Sequence, residues 1–530
     1  MTEQLFHRVL KASLVCCLAV ILTGCEELFN ILDNPIQTSL NMATSDVKLG
    51  VGEQKQRQAT CVSPATIVYA SSNATVATVD ANGVVTGVAA GEATITASVA
   101  AIDYWTAASV SYKVIVKPVI VYATSLALNE ATLRVGIANL AAQTFTTTVT
   151  PSDAAITWTS SDETIATVDA TGKVTPIKAG KVTITATSGD LSATSNVYVY
   201  DKIHNINTDG DANVTSGEWL IEGNGTAIAN SITIADGASV VLNGINITSQ
   251  ISCSGNATII LADGSTNTVN VYAMEKAGIQ IGGDGKTLTI NAETAGTGKL
   301  TAKGGLQAAG IGTGNSPSSA GGNITINGGK VTATGGGFSA GIGTGDACTD
   351  NNTCGAITIN GGTVTATGGD LAAGIGTGLV QNNKINTCGA ITINGGTVTA
   401  TAGAYNAGIG TGYAYAVDGN ATAVCGNITI NGGTVNATGA SDGAGIGTGR
   451  SIAEIGYTAS QTCGAITIGT GVTSVIATKG SGAPNSIGVG KKAEAGGTEN
   501  QTCGTITIGG DATTYAAGVA ASPFTYPTAP

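Results

Sequence analysis

The sequence predicts an all-β chain: two small β-sandwiches followed by a right-handed parallel β-helix. Three observations predict it. The composition is dominated by Gly, Thr, Ala, Ile and Val, with only 11% charged residues, which favours strands and tight turns over helices. A segment beginning at Ser71 returns, altered but recognisable, 89 residues later at Ser160. Beyond about residue 203 a short Gly-rich phrase recurs at intervals of roughly 31 to 37 residues, the spacing of a stacked solenoid.

The first 24 residues are set apart from the fold. Arg8 and Lys11 precede the apolar run ASLVCCLAVIL, which is too short to span a bilayer, and Leu22-Thr23-Gly24-Cys25 follows. This order resembles a bacterial lipoprotein signal, whose cysteine is lipidated and becomes the first mature residue. The resemblance implies a signal peptide over 1–24, a lipid anchor at Cys25 and a tether over 25–39. Acyl chains contribute about 0.8 kcal/mol per buried methylene, so the partner is a membrane surface that the chain does not cross. Glu26 and Glu27 resemble an export signal of surface lipoproteins. The expected location is the outer membrane, facing the cell exterior.

The two related segments are SSNATVATVDANGVVTGVAAGEATITA (Ser71–Ala97) and SSDETIATVDATGKVTPIKAGKVTITA (Ser160–Ala186). Each alternates apolar and polar residues, breaks at a glycine turn (Gly83, Gly172) and resumes, which reads as strand, hairpin, strand. Tyr69 and Trp158 hold equivalent places, where one buried aromatic between two sheets suits a small sandwich. The pattern resembles the bacterial Ig-like group 2 family over 40–118 and 119–202. That family occurs in surface proteins as a spacer or adhesive module and carries no catalytic residues.

In the region 203–530, I-T-I-N-G-G-x-V-x-A-T starts at Ile324, Ile357, Ile391 and Ile428, and A-G-I-G at Ala309, Ala340, Ala373, Ala407 and Ala444. Each unit reads as three short strands that bury an apolar face only by stacking on their neighbours. Alternation turns Ile357, Ile359, Val364, Ala366 and Ile375 inward, and Thr358, Thr365 and Thr367 outward. Asn327, Asn360, Asn394 and Asn431 fall at one corner, where their amides are expected to hydrogen-bond from coil to coil and their backbone to visit the left-handed region. The segment resembles the pectate-lyase-like β-helix superfamily. Its front part, about 230–310, resembles β-helical carbohydrate-binding surface proteins.

Several chemistries are excluded or set low. A net charge of −12 without a basic block argues against nucleic acid. The only histidines are His7, in the signal, and His204, read as linker, so no Ser/His/Asp or Cys/His site is expected. The acids between 301 and 530 fall mostly one per coil and repeat in no paired arrangement, and no enzyme is expected. A polysaccharide lyase or hydrolase remains the third reading. Asp209-Gly-Asp211-Ala-Asn213 opens like a Ca²⁺ loop, but Val214 and Leu220 stand where Gly and Glu are needed, so a linker and no metal are expected. No cofactor is expected either. Cys354, Cys388, Cys425, Cys463 and Cys503 share one repeat position and read as a mostly reduced ladder of buried thiols, with neighbouring disulfides the alternative. The outward Thr rows resemble ice-binding β-helices, but Thr is the polar residue strands prefer, and Lys330 and Asn436 interrupt the array.

Length varies between each GIGTG and the next Cys-Gly, and in solenoids such insertions gather on one face. They are expected to form loops presenting Tyr413, Tyr415 and Tyr457 with Asp346, Lys384, Asp418 and Arg450. Exposed aromatics beside amides and charges suit a sugar ring. The chain therefore reads as a lipid-anchored surface adhesin whose β-helix presents loops to a polysaccharide or host glycan. A structural or protein-binding adhesin is the second reading.

Overall fold

The computed structural model describes residues 35–138, 143–315, 321–511, 515 and 518–527; the signal and Cys25 lie outside them. Among the described residues there is no α-helix, and so none long and apolar enough to cross a membrane. The chain forms two compact units. One comprises the chain through Ala127 with Thr147–Thr157 and Thr187–Ala193; the other comprises Leu128–Thr146, Trp158–Ala186 and Thr194–Pro530.

In the first unit, a four-stranded sheet orders Val47–Gly50, Ala108–Lys117, Gly91–Val99 and Val68–Ser71. It faces a three-stranded sheet of Gln54–Gln56, Val84–Gly87 and Ala77–Val79. Alternation puts Ala93, Ile95, Val114 and Val116 inside with Val85 from the facing sheet, as a sandwich requires. The edge strand Val47–Gly50 runs parallel to Ala108–Lys117. The second sandwich repeats the plan, with Thr132–Gly136 parallel to Leu191–Tyr200 and a core of Leu133, Val135, Phe145, Val174, Ile184, Val197 and Val199. Trp158 is half-buried rather than enclosed: it stacks on Phe145 at 5.8 Å and lies against Gly172.

The β-helix begins at Lys202–Asn205, the first strand of an 11-stranded parallel wall that ends at Ile506–Ile508. His204 therefore sits in a wall, not in a linker; it is 4% exposed and its Nε2 lies 3.0 Å from the Gly210 carbonyl. The Asp209–Asn213 stretch is likewise structural. Asp211 accepts from the Ser231 N–H, and Ala212–Val214 starts the second wall, of 10 strands. A third wall of nine strands closes the coil and ends in antiparallel Phe524–Tyr526. Such parallel crossovers are right-handed.

Like stacks on like. Ile324, Ile357, Ile391, Ile428, Ile466 and Ile506 pair in register and face the core. Burial of each contributes about 1.5–3 kcal/mol. Outside, Thr258, Thr289, Thr325, Thr358, Thr392, Thr429, Thr467 and Thr507 form one continuous column. The Asn corner is a true amide ladder: Asn327, Asn360, Asn394 and Asn431 each donate to the preceding Asn at 2.8–2.9 Å, starting from Asn291. The left-handed backbone expected on Asn falls instead on the second glycine after it, as at Gly362 (φ 81°) and Gly396 (φ 79°), which frees the Asn side chain to point along the ladder.

The second wall explains the constancy of Ile-Gly. A Cβ on Gly376 or Gly410 would lie 1.8 Å from the next coil's carbonyl oxygen, and these residues sit at φ 137° and 136°. Only glycine lets the coils approach here.

Candidate functional site: the arm face

The variable connections are not loops. Four of the five leave the helix as a short strand, turn and return as a longer one; the first leaves through a single bridge at Ala347. The outgoing strands Val380–Gln381, Ala414–Ala416, Ser451–Ala453 and Lys492–Ala493 form one parallel sheet; the returning strands, from Asn352–Cys354 to Thr498–Cys503, form another. Between them lies a second small core of Ala347, Val380, Ala414, Ala416, Ala421, Ala423, Ala453 and Ala459. Alternation of small apolar residues makes these segments strands, and neighbouring coils supply their hydrogen bonds.

Buried amides tie the arms to the helix. Asn386 Nδ2 donates to the Gly345 and Leu379 carbonyls (3.0 and 3.2 Å), and Gln461 Nε2 to those of Gly412 and Arg450 (2.8 and 2.7 Å). Asn352, Asn386, Ala423, Gln461 and Gln501 occupy one register position. Each returning strand ends at a ladder cysteine. Cys354, Cys388, Cys425 and Cys463 are buried and Cys503 is half-buried, all as free thiols. Neighbouring-thiol hydrogen bonds and burial push the pKa of Cys354 well above the usual thiol range.

The first residue of three arms hangs on a turn of the coil before it. The Leu379 N–H donates to the Phe338 carbonyl (2.9 Å), that of Arg450 to Tyr405 (2.7 Å) and that of Lys491 to Asp442 (2.9 Å). These hooks bring two columns of side chains together along the helix axis, apolar at Phe338 and Leu379, aromatic at Tyr405 and Tyr413, charged at Asp442, Arg450 and Lys491.

The aromatic part is a stack. Tyr405 and Tyr413 ring centroids lie 5.7 Å apart, and Tyr413 and Tyr415 5.6 Å. The Arg450 guanidinium lies 4.8 Å from the Tyr405 ring and 5.9 Å from Tyr413, within cation–π range. Asp442 holds Arg450 at 3.3 Å and Lys491 at 3.6 Å. Arg450 Nε is buried and has no hydrogen-bond partner among the described residues. Tyr405 adopts φ 72°, a genuine outlier for a bulky residue.

The structure corrects the expected site in particulars. Tyr413 is only 8% exposed: Tyr405, Tyr415 and Arg450 cover it, and burial raises its pKa to about 12. Tyr415 and Arg450 keep partial exposure in the stack. Tyr457 packs against the alanine core of the arms. Lys384 starts a returning strand, and Asp418 lies in a turn where its N–H donates to Asn382 Oδ1; no ring contact joins Tyr457, Lys384 or Asp418 to the stack among the described residues. Asp346 is fully buried rather than presented on the surface. Desolvation raises its pKa to about 6, against hydrogen bonds from Cys348 and Gln307. Sequence reasoning missed Tyr405, Asp442 and Lys491. Their only signal is that they align with Phe338 and Leu379 in the repeat. Among the described residues no group of three or more His, Cys, Asp or Glu is placed to hold a metal ion.

Two family models agree with the fold. Residues 38–102 and 116–198 match the bacterial Ig-like domain (group 2). Residues 324–346, 357–379, 391–413 and 428–450 match the beta helix repeat. No curated protein matches the chain. Among solved structures, Drosophila N-cadherin EC1-4 aligns at 14% identity and TM-score 0.18, over 31% of this chain and 50% of that one. Mouse cadherin-23 EC22-24 aligns at 18% and 0.18, over 31% and 63%. Domains 1–6 of the surface layer protein SbsC align at 20% and 0.13, over 28% and 22%. The chain thus spans about half of the first of these and under two thirds of the others.

Proposed function

We propose that this chain is a lipid-anchored, cell-surface adhesin, with the sandwiches as a stalk and the arm face of the β-helix as a binding surface for polysaccharide or host glycan. The observation that carries the reading is the Tyr405–Tyr413–Tyr415 stack capped by Arg450. It pairs apolar ring faces with fixed polar groups, which is what a pyranose with one apolar face and hydroxyl edges requires. Strain at Tyr405 belongs with this role, since sparsely populated backbone clusters at ligand clamps.

The role is non-catalytic, and the anchor is Cys25. The test of binding is a panel of soluble glycans and insoluble polysaccharides, with and without chelator, against the purified chain and its Tyr405→Ala and Tyr415→Ala variants. Saturable binding weakened by both substitutions supports the reading. No binding across the panel sinks it, and product release from polygalacturonate would replace it with a lyase or hydrolase. The anchor is tested by mass spectrometry of the native N-terminus and by Cys25→Ala, which should release the protein from membranes.

A protein partner is the second reading. Ile385 and Ile455, 46% and 81% exposed in the arms, favour it, since exposed apolar side chains suit protein contacts. Cell coaggregation insensitive to added glycans would select it.

A further inference from the structure

We propose a second saccharide site, separate from the arm face: the cleft between the second sandwich and the opening coils of the β-helix receives a neutral sugar ring. Both walls belong to the same compact unit. The cleft encloses about 380 Å³ and is lined by Lys181, Tyr198, Glu218, Val241, Ile260 and Asn291, among others. Small-molecule sites run from about 300 to 1,000 Å³ and favour such junctions.

The floor is apolar. Val241 packs with Leu220 and Ala262 in a small cluster, and Tyr198 and Ile260 pack against it. The Tyr198 ring is held by two cations, Arg134 at 4.9 Å and Lys181 at 5.1 Å, so the platform is fixed before a ligand arrives. Preorganisation of this kind lowers the cost of binding.

The polar groups come from two sources. In the amide ladder every Asn from 327 to 431 donates its Nδ2 to the preceding coil. Asn291 is the terminal acceptor, and among the described residues no partner takes its own Nδ2. The ladder thus presents an unspent donor at the cleft, polarised by the amides behind it. On the same wall, three strands away, Glu218 makes no side-chain hydrogen bond or ion pair among the described residues, while its backbone N–H is taken by Asp201. Its carboxyl pKa is raised by burial and by Asp201 and Glu293, as befits a carboxyl kept in a cleft without a cationic partner.

One amide donor, one ammonium donor and one carboxyl acceptor around an aromatic floor match ring hydroxyls above an apolar sugar face. Charge selects the class. Glu293 is neutralised by Arg134, and the Lys181 ammonium in the same lining offsets Glu218, so the cleft carries no net charge to draw an ion and suits a neutral sugar.

The test is saturation-transfer NMR of the full chain with neutral methyl glycosides and neutral oligosaccharides, and with uronates for comparison. Glu218→Gln, Asn291→Ala and Tyr415→Ala are run beside it, each checked by thermal melting. The expected result is binding of a neutral sugar that persists in Tyr415→Ala, whose arm face is disabled, and that is weakened at least tenfold in that background by Glu218→Gln and by Asn291→Ala. Failure of the full chain to bind any neutral sugar overturns the proposal. So does binding that survives both cleft substitutions in that background, whereas loss with Tyr415→Ala alone would assign the signal to the arm face and likewise overturn this one.

Discussion

Arg134 of the second sandwich clasps Glu293 of the β-helix with both arms of its guanidinium, Nη1 to Oε1 at 2.5 Å and Nη2 to Oε2 at 2.6 Å. Tyr200, 1% exposed, receives a hydrogen bond from the same Arg134 nitrogen, and Glu293 also accepts from the Asp263 N–H. The pair is largely shielded, at 17% and 6% side-chain exposure. Removing one member of a buried pair leaves a charge without its partner, at a cost of about 3–5 kcal/mol. Arg134→Ala should lower stability by about that amount in urea unfolding, and replacing both residues by apolar ones should cost less.

Asp346 predicts a pH dependence. Its pKa is raised to about 6 from 3.8 by burial, so between those values the folded chain holds a proton that the unfolded chain has released. Stability therefore falls as pH rises from about 4 to 6, by at most about 3 kcal/mol. Asp346→Asn should flatten this part of the stability–pH curve measured by thermal melting; an unchanged slope would remove Asp346 as its source.

The ladder thiols predict an order of reactivity. Cys354, Cys388, Cys425 and Cys463 are buried with pKa well above the ordinary value. Cys503 is half-buried, and its pKa is lowered by the Cys463 thiol. Thiolate fraction and access set the rate, so iodoacetamide followed by peptide mass spectrometry should label Cys503 well before the other four, which should react only on unfolding.

The Ile-Gly column predicts a sharp steric limit. Gly376→Ala puts a methyl 1.8 Å from the Gly410 carbonyl oxygen, which backbone must move to relieve. A loss above about 4 kcal/mol, or failure to fold, is expected. Thr365→Ala, on an outward column of the third wall, should cost under about 1 kcal/mol by the same circular-dichroism melt.

Much of the architecture is legible in the residues. The Ser71 and Ser160 segments declare paired sandwiches, and the Ile324 to Ile428 phrases declare a stacked coil, because period-two burial and an invariant small corner admit few other solutions. The arms are not legible as strands. Runs such as AYA and SIA are too short to show a period, and their hydrogen bonds come from neighbouring coils. Tyr413 looks exposed in a Gly-rich connection, yet it is covered by Tyr405 from the preceding turn and by Arg450, 37 residues further on. No local pattern encodes contacts made through a repeat register, and none encodes the left-handed backbone at Tyr405.

The most direct test of the proposed binding face is a pair of isotherms on the glycan that the panel identifies, for the wild type and for Tyr405→Ala. The prediction is a dissociation constant at least about tenfold weaker in the variant, or about 1.4 kcal/mol, with an unchanged melting temperature. An isotherm unmoved by Tyr405→Ala and Tyr415→Ala would contradict the assignment of glycan binding to the arm face.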